Sequence, residues 1–244
     1  MKIGVIIQAR MGSTRLPGKV IKKLNDKTVL EHVISRVRQS KTINNIIIAT
    51  TTNERDTVIA LEALRCGVEI FRGSEDDVLS RYYMASKKFG LDIVVRITAD
   101  CPLIDPKILD NIINFYISNH YDIVSNASSN MSERTYPRGL DTEVFSFKIL
   151  ESAHLNAKKV YQREHVTPYI YENSNNTHYY KNNVDYSKHR WTLDTEEDYK
   201  LITHIYNFLY HGKHDFYLED IIDLFRKYPK LYDINSKIEQ KKIK

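Results

Sequence analysis

The chain has 244 residues, of which 42% are hydrophobic and 27% are charged. These fractions are ordinary for a globular protein, and they exclude a disordered, a collagen-like and a disulfide-scaffold chain. The length fits one large domain or two small ones. The two cysteines, Cys66 and Cys101, are too few for a disulfide framework, so we expect a reducing compartment.

The formal net charge of +5 is compatible with nucleic acid, an acidic polymer or a polyphosphate as a partner. The apolar run at residues 3–7 is too short for the core of a signal peptide, and Arg10 follows it closely. No stretch approaches the roughly 18 apolar residues that a membrane span needs. We therefore expect a cytoplasmic protein that does not contact a membrane.

Short apolar runs alternate with amphipathic stretches over the first half of the chain. The pattern predicts helices that are separated by wholly apolar strands, which is typical of βαβ units and a parallel sheet. The last of these helices has Asp105 as a good N-cap and Pro106 as its first residue. We predict an α/β fold with a doubly wound, mostly parallel sheet. The predicted strands are 3–7, 46–50, 68–71 and 93–97, and the predicted helices are 29–37, 58–64, 78–89 and 106–117.

The pattern changes after Tyr121. A strand is predicted at 122–124, an irregular segment at 125–140, and a half-exposed strand at 141–147. A second alternating stretch, rich in tyrosine, covers 177–184. We interpret residues 125–190 as a small antiparallel insertion or lid, followed by closing helices at 195–210 and 217–225.

The loop at residues 8–19 has the most informative composition. It follows a buried strand and contains two glycines, three cations and no acidic residue, and residues 8–27 have a local net charge of +5. A cationic, glycine-containing loop at the carboxyl end of a strand is suited to binding a polyphosphate, although a solvated basic loop is the alternative. Five residues separate Gly12 from Gly18, and Val20 stands where a Walker A loop has a hydroxyl, so this loop is not of that type. The G-x-G-x-x-G fingerprint is absent as well.

Two aspartates are candidate ligands of a magnesium ion. Asp100 directly follows a predicted strand, and Asp194 precedes a predicted helix. Mg²⁺ is commonly bound by one or two carboxylates together with phosphate oxygens. The alternative for Asp100 is a turn residue before Pro102. The alternative for Asp194 is a helix N-cap, because Glu197 follows it at the spacing of a capping box.

With these motifs the chain resembles the SpsF-like cytidylyltransferases of spore-coat polysaccharide synthesis. That family is related to the acylneuraminate and 3-deoxy-manno-octulosonate cytidylyltransferases. The resemblance covers about residues 1–225, and residues 8–19 are its most specific block. The other matching blocks are 72–79, 96–102, 136–143, 163–169 and 190–194.

The resemblance implies a nucleotide-diphospho-sugar transferase fold and transfer of CMP from CTP to a sugar or sugar-acid acceptor, with Mg²⁺ and release of pyrophosphate. It implies a single domain over 1–244, with a nucleotide-binding half at about 1–124, an acceptor-binding and dimerisation insertion at about 125–190, and closing helices at about 191–230. A homodimer is therefore expected, and nucleic acid is not expected as a partner.

The same resemblance implies a role for individual residues. Arg15, Lys19 and Asp100 match catalytic positions, and Asp100 and Asp194 match the metal ligands. The acceptor signatures of the related enzymes are not recognisable in residues 125–190, so the acceptor residues are chosen by their place in the sequence. Arg138, Arg163 and His165 are the cations best placed to hold an anionic acceptor, with Asp141 and Glu143 as further candidates, although His165 is equally compatible with an ordinary residue at a helix start. The residues implied for the nucleotide are Gln8, Ala9, Arg10, Met11, Gly12, Ser13, Arg15, Lys19, Thr50, Arg72, Gly73 and Thr98.

Two other functions are compatible with parts of the sequence. A glycosyltransferase that shares the nucleotide-binding half would need an Asp-x-Asp motif after a strand, and residues 100–102 do not supply it. A nucleic-acid-binding module would need cations spread along one face with aromatic residues between them. The positive charge is instead concentrated in one loop, which favours the cytidylyltransferase.

Overall fold

The computed structural model describes residues 1–128 and 130–239. Within them the chain forms two sheets, one large and one of two short strands. The strands are β1 (Ile3–Gln8), β2 (Lys23–Leu24), β3 (Lys27–Thr28), β4 (Asn45–Thr51), β5 (Glu69–Gly73), β6 (Ile93–Thr98), β7 (Ile123–Ser125), β8 (Glu143–Ser146) and β9 (Thr177–Tyr179).

The α-helices follow the predicted pattern in the first and last parts of the chain. Asp105 caps the fourth helix as predicted, because its Oδ1 accepts the N–H of Lys107 at 2.8 Å. The helices are α1 (Val29–Val37), α2 (Thr57–Arg65), α3 (Val78–Phe89), α4 (Pro106–Ser118), α5 (Phe147–Asn156), α6 (Val160–His165), α7 (Pro168–Asn173), α8 (Glu196–Leu209) and α9 (Leu218–Lys227). None of the helices in the described part of the chain is both long enough and apolar enough to cross a bilayer.

The large sheet has the strand order β5-β4-β1-β6-β8-β7-β9. β1 lies in its middle and pairs in parallel with both β4 and β6. The chain moves outward from β1 to β4 and β5 and then returns to β6 on the other side of β1. The carboxyl ends of β1 and β6 therefore flank the switch point at which open α/β sheets bind ligands.

Helices cover both faces of this sheet. Ile3, Val5 and Ile7 of β1 pack in the core that α1, α2, α4, α8 and α9 form on one face. Ile6 packs on the opposite face, in the core that α3, α5 and α7 form. The predicted doubly wound, mostly parallel α/β fold is confirmed.

The antiparallel strand expected within residues 125–190 is present as β8, but it belongs to the large sheet and does not form a separate lid. β8 is antiparallel to both of its neighbours, β6 and β7, and is an interior strand of the large sheet. Glu143, Val144 and Phe145 are buried, so the prediction of a half-exposed strand there is wrong. The physical reason is that helices cover both faces of β8, whereas a half-exposed strand needs one solvated face. β9 pairs in parallel with β7, so residues 125–190 extend the main sheet.

Candidate active site

The basic loop is anchored by its own apolar residues. Leu16 and Val20 are 1% and 2% exposed and belong to the core on the α1 side of the sheet. Gly18 ends the loop with φ +64°, a left-handed conformation that suits glycine, and a 3₁₀ turn follows at Lys19–Ile21. The cations of this loop are therefore presented by a backbone that is fixed to the sheet.

Lys19 joins the two predicted metal ligands. Its Nζ lies 2.6 Å from Asp100 Oδ2 and 2.7 Å from Asp194 Oδ1. Arg15 reaches the other oxygen of Asp194, at 2.9 Å. The Thr98 hydroxyl donates to Asp100 at 2.6 Å. Thus the structure brings Arg15, Lys19, Thr98, Asp100 and Asp194 together at the carboxyl edge of the sheet.

A backbone contact places Asp194 beside Asp100, although 94 positions separate them in the chain. The N–H of Leu193 donates to the Asp100 carbonyl at 2.8 Å. The N–H of Trp191 donates to the Arg138 carbonyl at 2.7 Å, and Gly139 makes this approach possible. A Cβ on Gly139 would lie 2.4 Å from the carbonyl carbon of Trp191, and its φ of +101° also favours glycine.

Asp194 is not the N-cap of α8. Thr195 is the cap, because its hydroxyl accepts the N–H of Asp198 and the Asp198 carboxylate accepts the N–H of Thr195. The alternative interpretation, a capping box of Asp194 and Glu197, is therefore wrong, because the box lies one residue later, at Thr195 and Asp198. Asp194 is free of capping and accepts hydrogen bonds from Lys19 and Arg190, the latter at 3.1 Å.

The electrostatics of the pair follow from its burial and its charges. Burial opposes the charged form of Lys19, but the charges of Asp100 and Asp194 outweigh it and raise the pKa of Lys19. Burial likewise opposes ionisation of Asp100, but Lys19 and the Thr98 hydroxyl outweigh it and lower the pKa of Asp100. Both groups are therefore charged at neutral pH, and the two carboxylates share one cation.

The predicted nucleotide residues line the same edge. Gln8 and Thr98 end the adjacent strands β1 and β6 and pair in register. Thr50, near the end of β4, is fully buried. Within the described part of the chain, the buried Gln8 Oε1 and Thr50 Oγ1 have no hydrogen-bond partner. Buried polar atoms are normally satisfied, so these two atoms indicate a polar ligand at the switch point.

Two other predicted nucleotide residues brace the neighbouring turns. Arg72 donates from Nε to the Thr51 carbonyl at 2.8 Å and from Nη2 to the Asn53 carbonyl at 2.9 Å. The Gly73 carbonyl accepts the N–H of Thr52 at 3.0 Å. These contacts hold the turn after β4 next to the end of β5.

The remaining residues of the basic loop lie close to the carboxyl ends of β4 and β5. Ala9 is buried and its N–H donates to the Ala49 carbonyl at 3.1 Å. Arg10 is 45% exposed and only 3.9 Å from Glu75. Gly12 faces the Arg55–Glu75 ion pair, because a Cβ on Gly12 would lie 2.8 Å from Arg55 Nη2. The backbone of the loop is therefore close to the turns after β4 and β5, with Met11 and Ser13 on either side of Gly12.

The predicted acceptor residues divide into two groups. In the first group, Arg138 is half-buried. Its backbone pairs with that of Arg190, four residues before Asp194. Among the described residues, no carboxylate lies within 4 Å of its guanidinium, which contacts Met131 Sδ at 3.6 Å. Burial and the charge of Arg134 lower the pKa of Arg138.

Asp141 and Glu143, the other members of this group, are both engaged by arginines. The carboxylate of Asp141 accepts from the buried Arg134 at 2.7 and 3.2 Å. Glu143 accepts from Arg96 on the adjacent strand and from the Tyr171 hydroxyl.

Arg163 and His165, the second group, lie on α6 and are not at the Asp100–Asp194 pair. The Arg163 guanidinium donates to Asp77, the N-cap of α3, at 2.6 and 2.8 Å, and to the His154 carbonyl at 2.9 Å. His165 is the last residue of α6 and is half-buried. The structure therefore gives Arg163 a structural role in joining α6 to α3.

Three residues that support the site were not predicted from the sequence: Asp56, Arg96 and Arg190. Arg190 donates to both Asp194 and Asp198, and so fixes the first turn of α8 relative to the carboxylate pair. Arg190 lies four residues before Asp194, a spacing that could have suggested their contact. Asp56 binds Met11, 45 positions away, and Arg96 binds Glu143, 47 positions away, so neither contact has a local signal in the sequence.

A basic loop beside two partly buried carboxylates, at the switch point of an open α/β sheet, is typical of enzymes that act on nucleoside triphosphates. The chain is a nucleotidyltransferase. The model of the family described as "Cytidylyltransferase" matches residues 4–243, and the chain belongs to this family, whose members transfer CMP from CTP to an acceptor.

Individual relatives agree with this assignment. SpsF, the spore coat polysaccharide biosynthesis protein of Bacillus subtilis, is 34% identical over 82% of this chain and 85% of its own length. An uncharacterized protein of Methanocaldococcus jannaschii is 42% identical over 99% of this chain and 97% of its own. The solved structure of a cytidylyltransferase from Leptospira borgpetersenii is 37% identical, with a TM-score of 0.90 over 98% of this chain and all of that one. Family membership favours the cytidylyltransferase over the glycosyltransferase and nucleic-acid-binding alternatives.

Proposed function

We propose that this cytidylyltransferase transfers CMP to an anionic sugar or sugar acid that is used in the synthesis of a surface polysaccharide. The observation that carries the proposal is the half-buried Arg138, which has no carboxylate within 4 Å among the described residues and pairs through its backbone with Arg190, four residues before Asp194. A half-buried guanidinium that makes no ion pair favours an anionic ligand. The SpsF relative, named for spore coat polysaccharide biosynthesis, supports the pathway class.

In the proposed reaction an acceptor oxygen attacks the α-phosphorus of CTP in line, and pyrophosphate leaves. The work of the protein is positioning and charge stabilisation. Arg10, Arg15 and Lys19 would bind the β- and γ-phosphates and stabilise the charge that develops on pyrophosphate. A phosphorylated acceptor would attack through an oxygen that is already ionised and would need no general base. A sugar acid would attack through a hydroxyl, whose proton would pass to solvent water as the new oxygen–phosphorus bond forms and the bond to pyrophosphate breaks.

Cytidylyltransferases typically use a divalent metal ion. We propose Mg²⁺, bound by Asp100 and Asp194. The fit rests on the donor set, since both carboxylates already direct an oxygen at one cationic atom, Lys19 Nζ. Two carboxylates plus phosphate oxygens are a usual Mg²⁺ environment. When bound, the ion would withdraw charge from the phosphates, and Lys19 would then be available to the β- and γ-phosphates.

The nucleoside would bind at the carboxyl ends of β1 and β4. The unsatisfied Gln8 Oε1 and Thr50 Oγ1 support this placement, because the polar edge of a base or the hydroxyls of a ribose could satisfy them. Met11, Gly12 and Ser13 would present their backbone to the phosphates. Arg72, Gly73 and Thr98 would shape the walls of this site.

On the acceptor side, we assign Arg138 to the anionic group of the acceptor. Asp141 and Glu143 would act through their arginine partners or on acceptor hydroxyls. Arg163 and His165 would shape the site indirectly, because α6 packs against the start of α3.

We also propose a homodimer, formed along β9, and a cytoplasmic location. β9 is an edge strand of the large sheet, and beside it the rings of Phe115, Tyr121 and His178 stack on one another. Unpaired edge strands are ready templates for pairing with a second chain. Cys66 and Cys101 are free thiols, which fits a reducing compartment.

The nucleotide assignment is tested by calorimetry with the four nucleoside triphosphates in the presence of Mg²⁺. We expect CTP to bind far more tightly than ATP or GTP, and only modestly more tightly than UTP, because the phosphate-binding loop does not distinguish bases. Pyrophosphate release with a panel of sugar acids then identifies the acceptor. Equal affinity for ATP and CTP would be incompatible with this function.

A further inference from the structure

The backbone of Met11 makes three hydrogen bonds that hold the phosphate-binding loop in its conformation. Its carbonyl accepts two N–H groups from opposite sides of the loop, that of Ser13 at 2.8 Å and that of Gly18 at 3.3 Å. Its own N–H donates to Oδ1 of Asp56 at 2.7 Å. The two carbonyl contacts close residues 11–18 into a compact ring. The N–H contact attaches the first part of that ring to Asp56, whereas Leu16 anchors its later part in the core.

Asp56 occupies the N-cap position of α2, where an aspartate ordinarily accepts an N–H of the helix. Its side chain makes no such hydrogen bond. Its Oδ1 accepts from Met11, and its Oδ2 accepts from the hydroxyl of Thr51 at the end of β4. Asp56 is fully buried, so its carboxylate connects the loop to β4 without competition from water.

This connection matters because the loop supplies the cations of the site. Arg10 precedes Met11 directly, and Arg15 and Lys19 follow within eight residues. A loop that must order itself around a triphosphate loses conformational entropy when it binds, and a loop that is already ordered does not. A charge-assisted hydrogen bond from a backbone N–H to a buried carboxylate is strong enough to hold such a backbone in place.

We propose that Asp56 is a positioning residue for the triphosphate: it holds the Met11 peptide, and through it the basic loop, in the conformation that binds the phosphates. Asp56 does not touch the substrate. The assignment of a triphosphate ligand rests on the proposed function, whereas the ordering of the loop by Asp56 does not depend on it.

Two substitutions separate positioning from stability. Asp56→Ser removes no capping interaction from α2, because the Asp56 side chain makes no capping hydrogen bond, but serine is too short to reach Met11. Asp56→Asn keeps a carbonyl oxygen for the Met11 N–H and an amide donor for Thr51. The matched control is Asp110→Ser, since Asp110 of α4 accepts the N–H groups of Lys41 and Thr42 and anchors a loop at the opposite edge of the sheet.

The first measurement is amide hydrogen exchange on the protein without nucleotide. We expect Asp56→Ser to accelerate exchange at Ser13 and Gly18, and Asp56→Asn and Asp110→Ser to leave these two amides as in the wild type. This result depends only on the structure of the loop. Unchanged exchange at Ser13 and Gly18 in Asp56→Ser would overturn the proposal.

The second measurement is CTP binding and steady-state kinetics. We expect Asp56→Ser to raise the Kd and KM for CTP by roughly tenfold, the loss of one charge-assisted hydrogen bond, with a smaller change in kcat. Asp56→Asn, which keeps a neutral hydrogen bond to Met11, should raise KM less than Asp56→Ser does. Asp110→Ser should lower Tm without changing KM. A Tm loss in Asp56→Ser without a KM change would show that Asp56 is merely structural. A wild-type protein that does not bind CTP would instead refute the proposed function, while the exchange data would still decide the role of Asp56.

Discussion

Replacing Asp194 by asparagine tests the assignment of the carboxylate pair most directly. In the structure Asp194 caps no helix, and its carboxylate accepts from Lys19, Arg15 and Arg190. The asparagine side chain would keep the shape and one carbonyl oxygen but would lose the negative charge. A neutral amide binds Mg²⁺ much more weakly than a carboxylate, so activity should fall far more than stability.

The cost in stability follows from the exposure of each partner. Lys19 and Arg190 are 12% and 7% exposed, and exchanging a charge-assisted for a neutral hydrogen bond costs about 1 kcal/mol in each case. Arg15 is 36% exposed, so its pair with Asp194 contributes little. The sum of about 2 kcal/mol corresponds to a Tm decrease of about 4–8 °C for a chain of this size.

The assay combines pyrophosphate release with thermal unfolding, and the control is Thr195→Ala. Thr195 is the true cap of α8, so its loss should cost about 1 kcal/mol, or about 2–4 °C in Tm, and leave turnover intact. Asp194→Asn should lose more than about a hundredfold in turnover, in line with several kcal/mol of transition-state stabilisation by a metal ion. Wild-type turnover in Asp194→Asn at ordinary magnesium concentrations would refute the reasoning, and so would equal losses of activity in the two variants.

Two further predictions concern single cations of the site. In the wild type, Lys19 keeps the pKa of Asp100 low, so the stability that Asp100 contributes is present above its unfolded pKa of about 4 and is lost as the pH falls through the folded pKa. In Lys19→Met the cation that lowers the pKa of Asp100 is gone, and burial, which raises that pKa, dominates. Stability should then be lost as the pH rises above the unfolded pKa of about 4, and the Tm of the variant should fall relative to that of the wild type as the pH rises; parallel Tm curves for variant and wild type would contradict this. Arg138→Met should raise the KM for an anionic acceptor by roughly tenfold, because one charge-assisted contact with the acceptor is lost, and should leave the Kd for CTP unchanged. The acceptor KM is measured by steady-state kinetics at saturating CTP. An unchanged acceptor KM would show that Arg138 does not bind the acceptor.

Local sequence patterns were sufficient for most secondary structure. The helices α1, α3 and α4 have a clear apolar periodicity and definite end signals, such as Asp105 with Pro106 and the left-handed Gly90 after α3. The short helices α6 and α7 have six residues each, too few for a periodic apolar face to be recognised. Neither they nor α5 was predicted.

The sequence by itself determined the fold class and the composition of the phosphate-binding loop, because these depend on apolar periodicity and on residues that are neighbours in the chain. The assembled site depended on contacts between residues far apart in sequence. Residues 194–198 offer two capping registers of equal spacing, and only the hydrogen bond from Leu193 to the Asp100 carbonyl decides between them, since it holds Asp194 at the sheet edge and leaves Thr195 to cap α8. For the same reason the buried position of β8 and the bond from Asp56 to Met11 could be seen only in the tertiary structure.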